Sequence, residues 1–66
     1  MKILKKELAL KGLSVEKLSK RIDITEQALH SLIRGDSKPR ASTTKKLIDF
    51  GFSETASLNP AKDIEV

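Results

Sequence analysis

The stretch Ser14–Arg34, SVEKLSKRIDITEQALHSLIR, decides how this 66-residue chain folds. At about 100° per residue, positions 26–34 separate into two faces. Ala28, Leu29, Leu32 and Ile33 lie on one; Glu26, Gln27, His30, Ser31 and Arg34 lie on the other. The residues before them divide in the same way, with Val15, Leu18, Ser19 and Ile22 opposite Glu16, Lys17, Lys20 and Arg21. Two amphipathic helices therefore meet at Asp23-Ile24. A join of about three residues makes them cross steeply and bury their apolar stripes against each other, which is helix-turn-helix geometry. Ser19 is small enough to let the second helix approach. Asp23 stands where the tight turn calls for positive φ, a conformation that Gly adopts most easily and Asp or Asn next.

Outward from this pair, the ends of each helix are marked locally. Residues Ile3–Lys11 are rich in helix formers, with Ile3, Leu4, Leu8 and Leu10 as the apolar side. Gly12 ends that helix, Leu13 turns inward, and Ser14 caps the next one with Glu16 in its first turn. Thr25 caps the helix that Gly35 stops. The polar run Asp36-Ser37-Lys38-Pro39-Arg40 is a loop, because Pro39 disfavours helix at Lys38. A fourth helix is expected from Ser42 or Thr43 to about Phe50, contributing Leu47, Ile48 and Phe50 and ended by Gly51. The predicted fold is thus all-α, with four or five helices around a central helix-turn-helix. Residues 1–52 form the domain and 53–66 a C-terminal tail. For the tail three readings stand: a single helical turn at Ser53–Ala56, a short dimerising strand at Asp63–Val66, or disorder over its last six or so residues.

Composition narrows the class. The chain carries no Cys and one His, which removes disulfides and thiolate metal sites. Lysines interrupt the apolar residues at the N-terminus, so no signal peptide or membrane span is expected, and the chain reads as a soluble intracellular protein without membrane contact. Net charge is +4 and the pI about 9.6. Through Phe52 there are twelve Lys and Arg against six acids, a net of +6. Such a surface attracts polyanions, although solubilising charge alone gives the same totals. Phe50 and Phe52 are the only aromatic residues, too few for the stacking platforms of single-stranded nucleic acid binders, so duplex DNA is the better polyanion.

From Leu13 to Ser53 the chain resembles the lambda-repressor-like (Cro/CI, XRE-type) DNA-binding domain. The resemblance rests on Gly12-Leu13-Ser14, on the pair Leu18-Ser19, and on a turn closing at Ile24-Thr25. It continues with Leu29, Leu32, Gly35 and the basic Lys38-Pro39-Arg40-Ala41-Ser42-Thr43. The family usually has Gly at the position of Asp23, often Ala at Ser19, an aliphatic residue at Thr44, and a phosphate-binding Gln at Val15. The resemblance implies a small transcriptional regulator, most like a phage Cro-type repressor that occludes an operator. It would work in a bacterial cytoplasm, on the nucleoid, as a homodimer formed in solution or only on DNA.

With the third helix in a major groove, Glu26, Gln27, His30 and Ser31 are the candidate base readers, Gln27 foremost because its amide matches adenine N6 and N7. The candidate phosphate contacts are Arg34, Lys38, Arg40, Ser42, Thr43, Lys45 and Lys46, the hydroxyl pair lying at a helix N-terminus. A solvated polar face explains the same residue types without DNA. Ile33, at the edge of its stripe, serves either as core or as a contact for a protein partner, as the tail also could. That second role would suit an interaction module of the same fold, an anti-repressor or antitoxin. No paired carboxylates, nucleophile and base, phosphate loop or metal ligands are grouped in the sequence, so no enzyme, metal or cofactor is expected.

Overall fold

Side-chain caps mark the starts of the second, third and fifth helices. In the computed structural model, which describes residues 1–65, α1 (Ile3–Leu10), α2 (Val15–Ile22), α3 (Glu26–Arg34), α4 (Ala41–Phe50) and α5 (Glu54–Leu58) follow one another, with no strand among the described residues. The Ser14 hydroxyl accepts from the Lys17 amide and the Thr25 hydroxyl from the Ala28 amide, both at 3.2 Å. Each bond satisfies one of the N–H groups that the first turn of a helix leaves unpaired. Asp23 closes α2 at φ 57° and ψ 47°, and the amides of Asp23 and Ile24 both return to the Ser19 carbonyl. Ser19 itself is half-buried, and its hydroxyl donates to the Glu16 carbonyl at 2.7 Å.

The left-handed backbone at Asp23 carries a cost that glycine escapes. Asp23→Gly is therefore expected to raise stability by up to about 1 kcal/mol, less the entropy a glycine adds to the unfolded chain. Urea unfolding midpoints measure this, and a lower midpoint for the variant would show that the backbone there is unstrained.

Every helix contributes to one core. Leu4, Leu18, Leu29, Leu47 and Ala56 are fully buried, with Leu8, Val15, Ile22, Leu32 and Phe52 close behind. The packing of α2 against α3 brings Leu18 and Leu29 into this cluster, while α4 packs on both α2 and α5. Ile33 is only 8% exposed and belongs to the same cluster, so it fills the core and presents no surface to a partner. Val15, standing where the resembling family keeps a polar Gln, is core as well.

Two apolar expectations are corrected. Leu10 is 77% exposed. It shares the azimuth of Ile3 but lies about 10 Å further along the helix axis, beyond the segment that covers Ile3. Ile48 is 43% exposed, at the margin of an α4 face whose centre is Leu47. The start of α4 also differs from expectation: Arg40 is its N-cap and the first turn begins at Ala41, with no side-chain cap. Packing decides this, because a helix begun earlier turns Thr43 and Thr44 inward in register with Leu47 and Phe50. No local capping signal marks it.

Beyond Phe52 the chain continues the core. The Ser53 hydroxyl accepts from the Ala56 amide at 3.1 Å, and α5 buries Ala56 and Ser57 against α1 and α4. The Thr44 hydroxyl, replacing an aliphatic residue, donates to the Ser57 carbonyl at 3.3 Å. Residues 59–64 then run back across the N-terminus of α1. The amides of Ile3 and Leu4 donate to the carbonyls of Lys62 and Pro60 at 2.8 and 3.4 Å, supplying a cap that α1 lacks in its own sequence. Asp63 forms an isolated antiparallel bridge with Lys2, and their side chains pair at 3.1 Å. The extended segment expected to pair with a second subunit thus pairs within its own chain through Asp63 and Ile64, because α1 offers unpaired donors there; Val66 lies outside the described residues.

Candidate nucleic-acid interface

The polar face of α3 is left open because its apolar face is spent on the core. Glu26, Gln27 and His30 are exposed, Ser31 is half-buried, and Arg34 is exposed in the last turn. Gln27, His30, Ser31 and Arg34, spaced i, i+3, i+4 and i+7, line one depression along the helix. Glu26 turns aside from this group. It lines a cleft with Lys5 of α1, Ser14 and Glu16 at the start of α2, and His30, which borders both hollows. Lys5 therefore belongs beside the start of α3. Helical spacing within α1 could not signal this, since it gives the azimuth of Lys5 and not what lies across from it.

The cations around α3 fall into distinct settings. Arg34 Nε donates to Asp36 Oδ2 at 2.9 Å, in a pair that is more than half exposed on both sides. Such a pair adds little to stability, and it occupies only one of the five guanidinium N–H groups. Lys38 stands exposed in the loop after α3, and Arg40 follows it at the head of α4. Thr44 makes the first bond of the α4 ladder, to the Arg40 carbonyl, so the amides of Ala41, Ser42 and Thr43 precede it as unpaired first-turn donors. Ser42 is exposed there and Thr43 half-buried. Their hydroxyls do not cap the helix, and the anion-attracting feature is the backbone itself.

A family model described as Helix-turn-helix (HTH_3) matches residues 4–52. The chain belongs to this helix-turn-helix family. No curated protein and no solved structure matches it. DNA binding in transcription regulation is the function this family brings, and the match runs from within α1 through Phe52, so α5 and the returning segment lie outside it.

Within this helix-turn-helix protein, α3 is the second helix of the motif. Lys45 and Lys46 are exposed on α4, and Lys46 lines a depression with Arg21, Asp23 and Asp49 at the far end of α2. Nothing groups it with the α3 hollow. Among the described residues no cluster of His, Cys, Asp or Glu could hold a metal, and no helix is long and apolar enough to cross a membrane.

Proposed function

We propose that this protein is a small transcriptional regulator that reads duplex DNA with α3 and represses, in the manner of Cro-type proteins, by covering an operator. Support comes above all from one arrangement: an open polar α3 face with Gln27, His30, Ser31 and Arg34 along a single hollow, followed by Lys38, Arg40 and the uncapped head of α4. In the major groove, Gln27 pairs with adenine, Ser31 and His30 read neighbouring positions, and Glu26, set to one side, accepts from a cytosine amino group. Arg34, Lys38, Arg40 and the amides at Ser42 and Thr43 hold the flanking phosphates; Lys45 and Lys46 add long-range attraction. The mechanism is occupancy and involves no bond-making step. Such a protein works in the cytoplasm on the nucleoid, and two copies on adjacent half-sites provide the affinity a single domain lacks. The anti-repressor or antitoxin reading loses its main support, since Ile33 is buried.

Gln27→Ala is expected to weaken binding to the selected site by about 1–3 kcal/mol and to relax preference at one base pair, while Lys38→Ala weakens all sequences alike and reduces the salt slope by about one. Electrophoretic shifts across a salt series measure both. Equal losses on every sequence for Gln27→Ala would remove direct readout from the mechanism, and salt-insensitive or absent retardation of wild type would remove DNA binding itself.

A further inference from the structure

An apolar groove of about 420 Å³ opens at the C-terminal end of α3, between the α3–α4 loop and the segment that follows α5. Pro39 belongs to the loop wall, Leu58, Pro60 and Ala61 to the other, and Leu32 of α3 joins them. Leu58 is 50% exposed, so one apolar wall stands open to water. This second wall lies beyond the residues that the helix-turn-helix family model matches. The shape is fixed before anything binds. Pro39 and Pro60 have φ set by their rings, and the carbonyls of Pro60 and Lys62 accept from the amides of Leu4 and Ile3. Gly35, at φ 90°, lies so close to Ala61 that a Cβ on it would come within 3.2 Å of the Ala61 Cβ. Charge in the lining has one sign: Lys38 on the loop wall and Lys62 on the other, both exposed and neither in an ion pair among the described residues.

We propose that the groove docks a segment of another protein in which apolar side chains are flanked on both sides by carboxylates, and that this segment competes with DNA for Lys38, the second half resting on the DNA-reading function proposed above. Charge complementarity selects the occupant. A like-charged copy of this chain would set lysine against lysine. The phosphates of a duplex would satisfy the lysines but leave Leu58, Pro60 and Ala61 unused, because contacts to the DNA backbone are polar. An anionic amphiphile with one head group would meet one lysine and leave the other. A segment with acids before and after its apolar residues meets both walls at once. The two lysines then fix its register while the apolar contacts supply affinity. The hollow lies near the lower end of the range for ligand pockets, about 300–1,000 Å³, which gives room for a few side chains. Walls that are already in place lose little freedom when those side chains enter. Docking covers Lys38 and so takes away a cation that would hold a phosphate.

The test pans a random peptide library displayed on phage against the full chain at physiological salt and titrates the recovered peptides into the protein by fluorescence anisotropy. The expected consensus is leucine-like residues bracketed by aspartate or glutamate. Leu58→Ser and Lys62→Glu, each checked for a wild-type melting transition, are expected to weaken these peptides on the order of tenfold or more. In electrophoretic shifts a recovered peptide is expected to release duplex from wild type but not from Leu58→Ser, which retains duplex as wild type does. Recovery of no binder would overturn the proposal, as would a consensus of acids without apolar residues or of apolar residues without acids. Unchanged affinity in both variants, or peptide and duplex bound together, would do the same. So would a wild-type dimer in sedimentation that Leu58→Ser abolishes, since the groove would then belong to a second copy. If wild type retards no duplex, the DNA-reading function and the competition fall together, and the peptide affinities of the two variants still decide the docking.

Discussion

Leu29→Ala is expected to lower stability by about 2–5 kcal/mol and to leave the chain largely unfolded at room temperature. Leu29 is fully buried and sits on the inward face of α3, in the one cluster that all five helices share. Truncation to Ala removes apolar transfer energy and leaves a cavity that short, tightly joined helices can only partly close. A domain of this size holds only about 3–5 kcal/mol from its core, so the loss is comparable with the whole. Far-UV circular dichroism against temperature reads the outcome. A wild-type melting temperature would mean that the inward face of α3 has been misassigned, and the exposed polar face with it, since the two are opposite sides of one helix.

The second large effect concerns the segment after Phe52. A chain ended at that residue is expected to lose its cooperative transition altogether, even though the residues that remain include both helices of the helix-turn-helix. Ending there removes Ala56 and Ser57, both fully buried, and uncovers the surfaces of α1 and α4 on which α5 packs. It also strips three polar attachments. Glu7 loses the Ser53 amide and hydroxyl, which donate to its two carboxylate oxygens at 2.9 and 2.6 Å. Ile3 and Leu4 lose the carbonyls that accept their amides. Thr44 loses the Ser57 carbonyl. Each orphaned group adds to the lost apolar burial. Dispersed, protected amide resonances in the shortened chain would show instead that residues 1–52 are a self-sufficient domain and that the returning segment is an accessory.

These two effects differ in how far the sequence alone points to them. Leu29 is legible because the evidence is local: period 3.6, a Thr cap four residues before it, and a Gly six residues after it at φ 90°. The same applies to Asp23, whose left-handed backbone follows from a join too short to be made otherwise. Gln27, His30, Ser31 and Arg34 share an azimuth for the same reason, and so they fall into one hollow. Glu26 shows the limit of azimuth: it lies on the polar side yet opens toward α1, since the neighbouring helix decides which hollow a border residue joins.

What the sequence determined by itself, then, is the set of helices whose signals lie within one or two turns of each other: α1, α2 and α3, the caps of α2 and α3, the turn between those two, and the exposed polar face of α3. Tertiary structure alone decided the start of α4, the existence of α5 as a packed element, the burial of Ile33 and the return of residues 59–64 onto α1. The physical reason is range. A five-residue helix carries too little periodicity to announce itself, and what holds it comes from far along the chain, as when Glu7 caps a turn 46 residues away. A cap or an apolar stripe acts on its own neighbourhood and can be read there, whereas an amide that finds its acceptor across the fold leaves no mark in the residues beside it.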